Sequence, residues 1–530
     1  MASLLPAPHP QISISIEEWL ACSMNPLILC RNANSYARGP MVRRSRLRPS
    51  APRAVVRAAI VLILSHGGSI AFAQGAPVSP DHPWHGFAEK SIQADARNLT
   101  EAKLNFDPEK TYSLPELIDL AESHNPETRV AWERARAQAA AWGVARSELY
   151  PTVAAAALAG ATRTHAYLAD RFFRQTFGDF EVALNLDYTI FDFGARAGRI
   201  NAAQAEVLAA NFAFNDTHRN VIYRVEQSYY QFLNASGQEE AARANLSNAQ
   251  AVQQASEERL NNGLATLPDV LEARSATAQA EYELQAVLGA EEIAHGNLAT
   301  ALGTTPPIAI RVQPLRELTI PSTIDDTVDS AIDRALAQRP DLLQRVADVQ
   351  AAKAKVKEAH AAYYPSLNFT ASPTAQSLYG MQQQFPWGHT LDLAGAMAFN
   401  LNWTVFDGGA RKNRLAQSEA NVHDAEAQVV VSRDQIANEV WNAYSDLNTA
   451  LRQREAATAL LEAAGRSYDA VLESYNFGLR NLLDVTAAQR TLAQARSTDV
   501  LARAQVLVAL ANLAFRAGDL IRPNAPRPGT

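Results

Sequence analysis

Two pairs of carboxylates recur in matching surroundings, and repeated carboxylates are natural candidates for acid–base work or cation binding. Asp192 and Asp407 each sit in a Phe-Asp-x-Gly-x-Arg run, at 191–196 and 406–411. Asp269-Val270 and Asp484-Val485 each follow a Gly-Leu pair, Gly263-Leu264 and Gly478-Leu479. All four aspartates stand where a helical pattern begins, and there an aspartate ordinarily accepts backbone N–H groups as a cap. His82 and His85 are three apart, but Asp81-His82-Pro83-Trp84-His85 has no further ligand nearby and reads as an exposed loop. Lys353, Lys355 and Lys357 alternate within a helical pattern and read as a solvated face. The chain has no Gly-rich phosphate loop and no nucleophile elbow. Neither enzymatic chemistry nor a cofactor or metal is expected.

The elements that position these carboxylates come in two copies. Tyr150-Pro151 returns as Tyr364-Pro365 at an offset of 214. The Phe-Asp runs, the Gly-Leu pairs and Asn297-Leu298-Ala299 with Gly303 return at an offset of 215, the last as Asn512-Leu513-Ala514 with Gly518. Self-similarity at a fixed offset predicts one architecture made of two like halves.

Long helices fill most of each copy. Residues 195–262 contain no Pro and two Gly, Gly198 and Gly237. Ile200, Val207, Phe214 and Val221 are spaced by seven, with Val225 and Phe232 at the intervening offset; Leu415, Val422, Val429, Ile436, Val440 and Leu447 repeat the register. This spacing predicts a coiled-coil seam, and the Ala-rich remainder lets neighbouring helices approach closely. A helix over 195–262 would reach about 100 Å, the dimension of a spacer or a tube wall. Gly263 and Gly478 end the long runs, and second helical runs follow over 269–302 and 484–516, giving helical hairpins.

Short alternating segments precede the long helices. Val182, Leu184, Leu186, Tyr188 and Ile190 oppose Ala183, Asn185, Asp187 and Thr189. Met397, Phe399, Leu401, Trp403 and Val405 oppose Ala398, Asn400, Asn402 and Thr404, and Leu367 and Phe369 oppose Ser366, Asn368 and Thr370. An apolar and a small-polar face over roughly ten residues suit a barrel strand between lipid and water, although a soluble sandwich alternates in the same way. Four such strands cannot close a barrel, and lipid tolerates no open edge, so several chains must pool them. Twelve strands from three chains would leave a channel.

Charge and composition are compatible with export. Hydrophobic residues make up 47% of the chain, much of it Ala, and no run of about 20 apolar residues offers a spanning helix. Residues 1–73 carry eight Arg and two Glu, a net of +6 against −7 for the chain, so the rest is near −13. That acidity argues against a general nucleic-acid partner. The arginines from Arg43 to Arg57, the apolar stretch Ala58–Leu64 and Ala71-Phe72-Ala73 fit a signal peptide, either one starting at Met41 or an unusually long one starting at Met1. Cys22 and Cys30 fall within the removed part, so the mature chain is expected to have no disulfide and no acylated N-terminus.

The doubled set of Phe-Asp-x-Gly-x-Arg junctions and Gly-Leu…Asp-Val tips resembles the TolC-like outer-membrane efflux family over about 112–518. The resemblance implies a membrane α+β fold with two transmembrane β-strands per repeat, as a homotrimeric 12-stranded β-barrel continued by a 12-helix α-barrel tunnel. It implies a place in the outer membrane of a Gram-negative bacterium, with a long periplasmic extension. It also implies a periplasmic adaptor (membrane fusion protein) and, through it, an inner-membrane pump, in efflux or type I secretion. Asp269, Tyr475 and Arg480 fall where the family places its gate latch, and Asp484 where it places a pore-facing carboxylate ring. Gly263, Leu264, Gly478 and Leu479 fall at the adaptor-docking tips, where the glycines also serve as turn-makers. Ala487 and Pro268 depart from the pattern, standing where some members carry an aspartate and a hydroxyl. The segments expected are the 1–73 extension and signal peptide, a 74–111 periplasmic segment, repeats at 112–319 and 320–518, and a 519–530 tail. The rival readings are a soluble periplasmic trimeric coiled-coil scaffold and an adaptor protein. A scaffold would not explain alternating strands, and an adaptor needs only one hairpin.

Overall fold

The computed structural model describes residues 89–98, 106–107, 109–168, 170–306, 310–321, 327–382 and 388–520. The expected signal peptide, Met41, both cysteines, His82 and His85 lie outside the described residues. The chain divides into two units, 1–100 and 101–530. The described part of the first is helix α1 (Glu89–Asn98), where Gln93 Nε2 donates to Glu89 Oε1 at 3.2 Å.

The second unit runs β1 (Thr111–Tyr112), α2 (Leu114–His124), α3 (Pro126–Ser147), β2 (Thr152–Leu168), β3 (Arg171–Phe191), α4 (Ala195–Asn261) and α5 (Leu267–Ala301). It continues with β4 (Arg311–Val312), a 3-10 turn (Leu315–Glu317), α6 (Val328–Gln338), α7 (Pro340–Ala361), β5 (Ser366–Gln382), β6 (Gly388–Asn402), α8 (Ala410–Asn476) and α9 (Leu482–Ala517). Each half thus repeats a short helix, a helix of 22 residues, two strands, a helix of 67 residues and a return helix. Local chemistry sets the boundaries. Ser113 and Glu116 form a capping box for α2, and Pro126 and Pro340 open α3 and α7, where a missing N–H costs nothing. At 1.5 Å per residue α4 and α8 each reach about 100 Å.

The seven-residue seam is buried where hairpins pack. Val221, Val225, Phe232, Ile436, Val440 and Leu447 are all under 9% exposed, whereas Ile200, Val207, Leu415 and Val429 are half-buried. Val221, Val225, Tyr229 and Leu233 of α4 meet Leu117, Leu298 and Leu302 in the largest apolar cluster. A charged knot ties four helices beside it. Arg339 pairs with Asp341 (2.7 Å) and Glu439 (2.8 Å), Arg516 with Glu439 (2.9 Å), and Arg219 of α4 with Asp216 (2.7 Å) and with Asp341 of α7 (3.8 Å). Burial pushes the Asp341 carboxyl up, but the bond and charge of Arg339 outweigh it and hold the group below its usual range.

Several expectations are refined. Among the described residues one helix, α9, holds an 18-residue stretch apolar enough to cross a membrane (mean hydropathy 1.4). Val485, Leu492, Val506 and Leu507 bury one face of that helix against its neighbours, and 44% of the apolar stretch is buried within the chain. The strands are longer than ten residues, and β6 ends at Asn402 rather than continuing through Val405. Trp403 leaves the ladder and its Nε1 donates to the Tyr363 carbonyl at 3.2 Å, which ties the strand end to the turn that follows α7. Lys353 and Lys355 are half-exposed as expected, yet they also join helices, Lys353 to Glu426 of α8 (2.8 Å) and Lys355 to Glu206 of α4 (2.7 Å).

Candidate functional site

The four long strands form one antiparallel sheet in the order β2-β3-β5-β6. Register puts Val153, Leu186, Ala371 and Met397 in one cross-strand row, and Phe369 opposite both Tyr188 and Phe399. One face is therefore apolar over most of its height: Leu393, Met397, Phe399 and Leu401 are 67–90% exposed. The other face carries Asn185, Asp187, Asn368, Thr370 and Asn400, with Asn400 Nδ2 donating to Thr370 Oγ1 at 3.1 Å. Leu391 to Leu401 rises roughly 25 Å at ordinary strand spacing and a barrel-like tilt, the height of an outer-membrane apolar band. Strand β2 was hard to see in sequence because Ala154–Ala157 place small apolar residues on both faces.

At each strand-to-helix junction the aspartate is a cap. Asp192 Oδ1 accepts from Gly194 N (3.2 Å), and Oδ2 from Arg196 N (2.8 Å) and Nε (3.1 Å). Asp407 repeats the pattern with Gly409 N (3.0 Å), Arg411 N (2.9 Å) and Arg411 Nε (2.8 Å). Arg196 and Arg411 reach on to the carbonyls of Ile190 and Val405, clamping the strand end to the first helical turn. Gly194 (φ +95°) and Gly409 (φ +90°) supply the left-handed residue that the junction requires. Hydrogen bonds from Arg411 and Gly409 hold the Asp407 carboxyl below its usual range.

The far ends of the hairpins form the candidate gate. Both long helices end in the same six-residue motif: Gly263 N donates to Leu260 O and Leu264 N to Arg259 O, as Gly478 N does to Tyr475 O and Leu479 N to Ser474 O. Leu264 and Leu479 stand out from these turns at 70% and 78% exposed. Asp269 caps α5 in a capping box: its Oδ2 accepts from Thr266 Oγ1 (2.7 Å) and Thr266 N (2.9 Å). Those bonds hold its carboxyl below the usual range. Arg480 pairs with Asp484 of its own hairpin at 3.6 Å, while Asn481 caps α9 by accepting from Asp484 N.

Tyr475 lies elsewhere, buried in the apolar cluster of the hairpin with Val485, Leu482 and Tyr468. Within one chain, then, Arg480 and Asp484 come together, whereas Asp269 bonds within its own turn and Tyr475 packs in the core. Two polar contacts that join the hairpins bring in Arg259, Glu272 and Arg490, which the sequence did not single out. Arg259, in the last turn of α4, donates to the Tyr475 carbonyl (2.9 Å) and lies 4.4 Å from the centre of its ring. Arg490 of α9 pairs with Glu272 of α5 at 3.5 Å. The available signal was asymmetry between copies: at the 215-residue offset Arg259 answers to Ser474, Glu272 to Ala487 and Arg490 to Ser275.

Comparison with known proteins agrees with this architecture. The outer membrane efflux protein family profile matches residues 117–304 and again 331–519, one match per repeat. Protein CyaE of Bordetella pertussis is 30% identical over 413 residues, covering 77% of this chain and 85% of that protein. A membrane protein of Pseudomonas aeruginosa shares the fold at 23% identity and a TM-score of 0.67, covering 76% of this chain and 90% of its own. The CmeC outer membrane channel of Campylobacter jejuni does so at 20% identity and a TM-score of 0.65, covering 79% and 93%. This chain belongs to the outer membrane efflux protein family.

Proposed function

We propose that the chain assembles as a homotrimer into a twelve-stranded outer-membrane barrel continued by a twelve-helix periplasmic tunnel. This channel is the exit duct of a tripartite efflux or type I secretion assembly. The observation that carries the reading is a sheet with one apolar and one polar face whose outer strands, β2 and β6, have no strand beyond them among the described residues. An open edge is not stable in lipid, and pooling strands with other copies removes it.

Helix packing supports the same closure. α4 packs on α7 of the following repeat, and by repeat symmetry α8 should pack on α3. Within one chain it does not. Val430, Val431 and Trp441 of α8 and Val130, Trp132 and Val144 of α3 remain about half or more exposed, the matching halves of a joint between copies. In this reading repeat 1 covers 112–319 and repeat 2 covers 320–518, with a periplasmic segment before them and a tail after.

The tip residues take their roles from this assembly. Gly263, Leu264, Gly478 and Leu479 form the adaptor-docking crown, where two left-handed glycines expose two leucines. Asp269, Tyr475, Arg480 and Asp484 form the gate, with Asp484 a carboxylate ring around the axis that attracts cations. Asp269 and Arg480 are both surface groups, available to a neighbouring hairpin, and a few charge-assisted bonds suffice to bias a reversible gate.

The channel reading is tested by fractionation: a heat-modifiable, detergent-extracted outer-membrane trimer is expected, and release by osmotic shock would overturn it in favour of a soluble scaffold. The gate is tested in planar bilayers. Arg480→Ser with Tyr475→Phe is expected to raise single-channel conductance, and unchanged conductance in an assembled trimer would remove these residues from the gate.

A further inference from the structure

Charge in the sheet is sorted by face. The carboxylates of the described strand residues, Asp179, Glu181, Asp187 and Asp392, all lie on the polar inner face, and the apolar outer face has none. Four of the five basic strand residues, Arg163, His165, Arg174 and His389, lie on the outer face, and Arg171 on the inner one. These four are also sorted by height. Outward-facing residues are uncharged up to the row Ala161, Gly178, Tyr379 and His389, where the Tyr379 and His389 rings lie 4.7 Å apart. Amphipathic rings at the end of an apolar band mark the level of the lipid headgroups.

The next outward rows hold the arginines. Arg163 stands opposite Thr176, and His165 opposite Arg174. Arg163 lies past the described end of β6, and His165 and Arg174 lie past the described ends of both β5 and β6. All three side chains are exposed. Arg163 Nε donates to Thr176 Oγ1 (3.2 Å), which lays the side chain along the sheet while using one of its five N–H donors. A soluble strand end has no reason to confine its bases to the face that continues an apolar band.

We propose that Arg163, His165 and Arg174 form an outward-facing clamp for the phosphorylated headgroup of the glycolipid that fills the outer leaflet. The proposal rests on the outer-membrane reading above. Charge complementarity supports it, because guanidinium forks bind phosphate oxygens in pairs. Continuity supports it too: the acyl chains would lie on Leu391, Leu393 and Phe180 directly below, on the same face.

Binding is measured on the full-length trimer in detergent by native mass spectrometry, with three probes: bis-phosphorylated lipid A, dephosphorylated lipid A and inorganic phosphate. Phosphorylated lipid A is expected to bind at least about tenfold more tightly than the dephosphorylated form. Arg163→Gln with Arg174→Gln should abolish that preference, and Arg163→Lys with Arg174→Lys should keep most of it. Inorganic phosphate should not compete at millimolar concentration; competition would show a free-anion site and overturn the lipid assignment. Equal binding of both lipid forms, or a Gln variant that keeps the preference, would also overturn it. Every variant is first fractionated. If the unmodified chain is absent from the outer membrane, the channel reading fails, whereas loss of selectivity in a correctly inserted trimer bears on the clamp alone.

Discussion

Arg259→Ala is expected to loosen the closed tip. In the structure this residue bridges the ends of the two long helices, donating at 2.9 Å to the Tyr475 carbonyl with its guanidinium 4.4 Å from the centre of the ring. A hydrogen bond from a charged donor is worth about 1.5–3 kcal/mol, and a partly desolvated cation–π contact about 1–2 kcal/mol. The two share one guanidinium and do not add fully, so about 2 kcal/mol per chain is a fair magnitude, roughly a 30-fold shift between closed and open tips. The exposed Arg490–Glu272 pair, at 70% and 41% side-chain exposure, adds well under 1 kcal/mol. Arg259→Ala should therefore raise single-channel conductance in planar bilayers far more than Arg490→Ser. Arg259→Lys, which keeps the charge but loses the planar fork, should fall between wild type and Arg259→Ala. A correctly assembled Arg259→Ala trimer with wild-type conductance would refute the idea that the α4–α8 contact helps hold the tip closed.

Two further changes probe the wall. A Cβ on Gly198 would sit 2.8 Å from the Glu358 backbone nitrogen, so Gly198→Ala should cost about 1–2 kcal/mol despite its better helix propensity and lower the temperature at which the trimer dissociates. A rise in that temperature would contradict the close approach of α4 and α7. Glu226 has a buried Oε2 with no partner among the described residues, and burial raises its carboxyl to about 7. Its folded value lies above its unfolded one, so the folded state holds the proton more tightly and stability falls as pH rises from about 4.5 to 7. Glu226→Gln should abolish this loss, so that its advantage in thermal dissociation over wild type widens between pH 5 and pH 8. An advantage of constant size would place Glu226 in a solvated setting.

Long-range periodicity made the skeleton legible in sequence. The long helices, their terminal glycines and the junction aspartates sit within a residue or two of where the repeat and the seven-residue spacing put them, because local rules govern them. Strand β2 was obscured because alanines at 154–157 satisfy either face and leave no alternation to read. The outgoing end of β6 was overextended because Trp403 continues the apolar alternation, although its indole bonds to the Tyr363 carbonyl. At the tip, the glycine turns and helix caps were legible because they are local. The Arg259–Tyr475 and Arg490–Glu272 contacts, 216 and 218 positions apart, depend on how two hairpins lie together, which neither motif states.

The unmatched faces of α3 and α8 have a consequence for biogenesis. In the proposed assembly each copy carries one half of a joint on α3 and the other half on α8, so a copy damaged on one side would still join through the other. Such a subunit enters a growing ring and then blocks its completion. Substitutions on the exposed face of α8 should therefore behave as dominant inhibitors when co-expressed with the normal chain, whereas substitutions that unfold the whole subunit should be recessive.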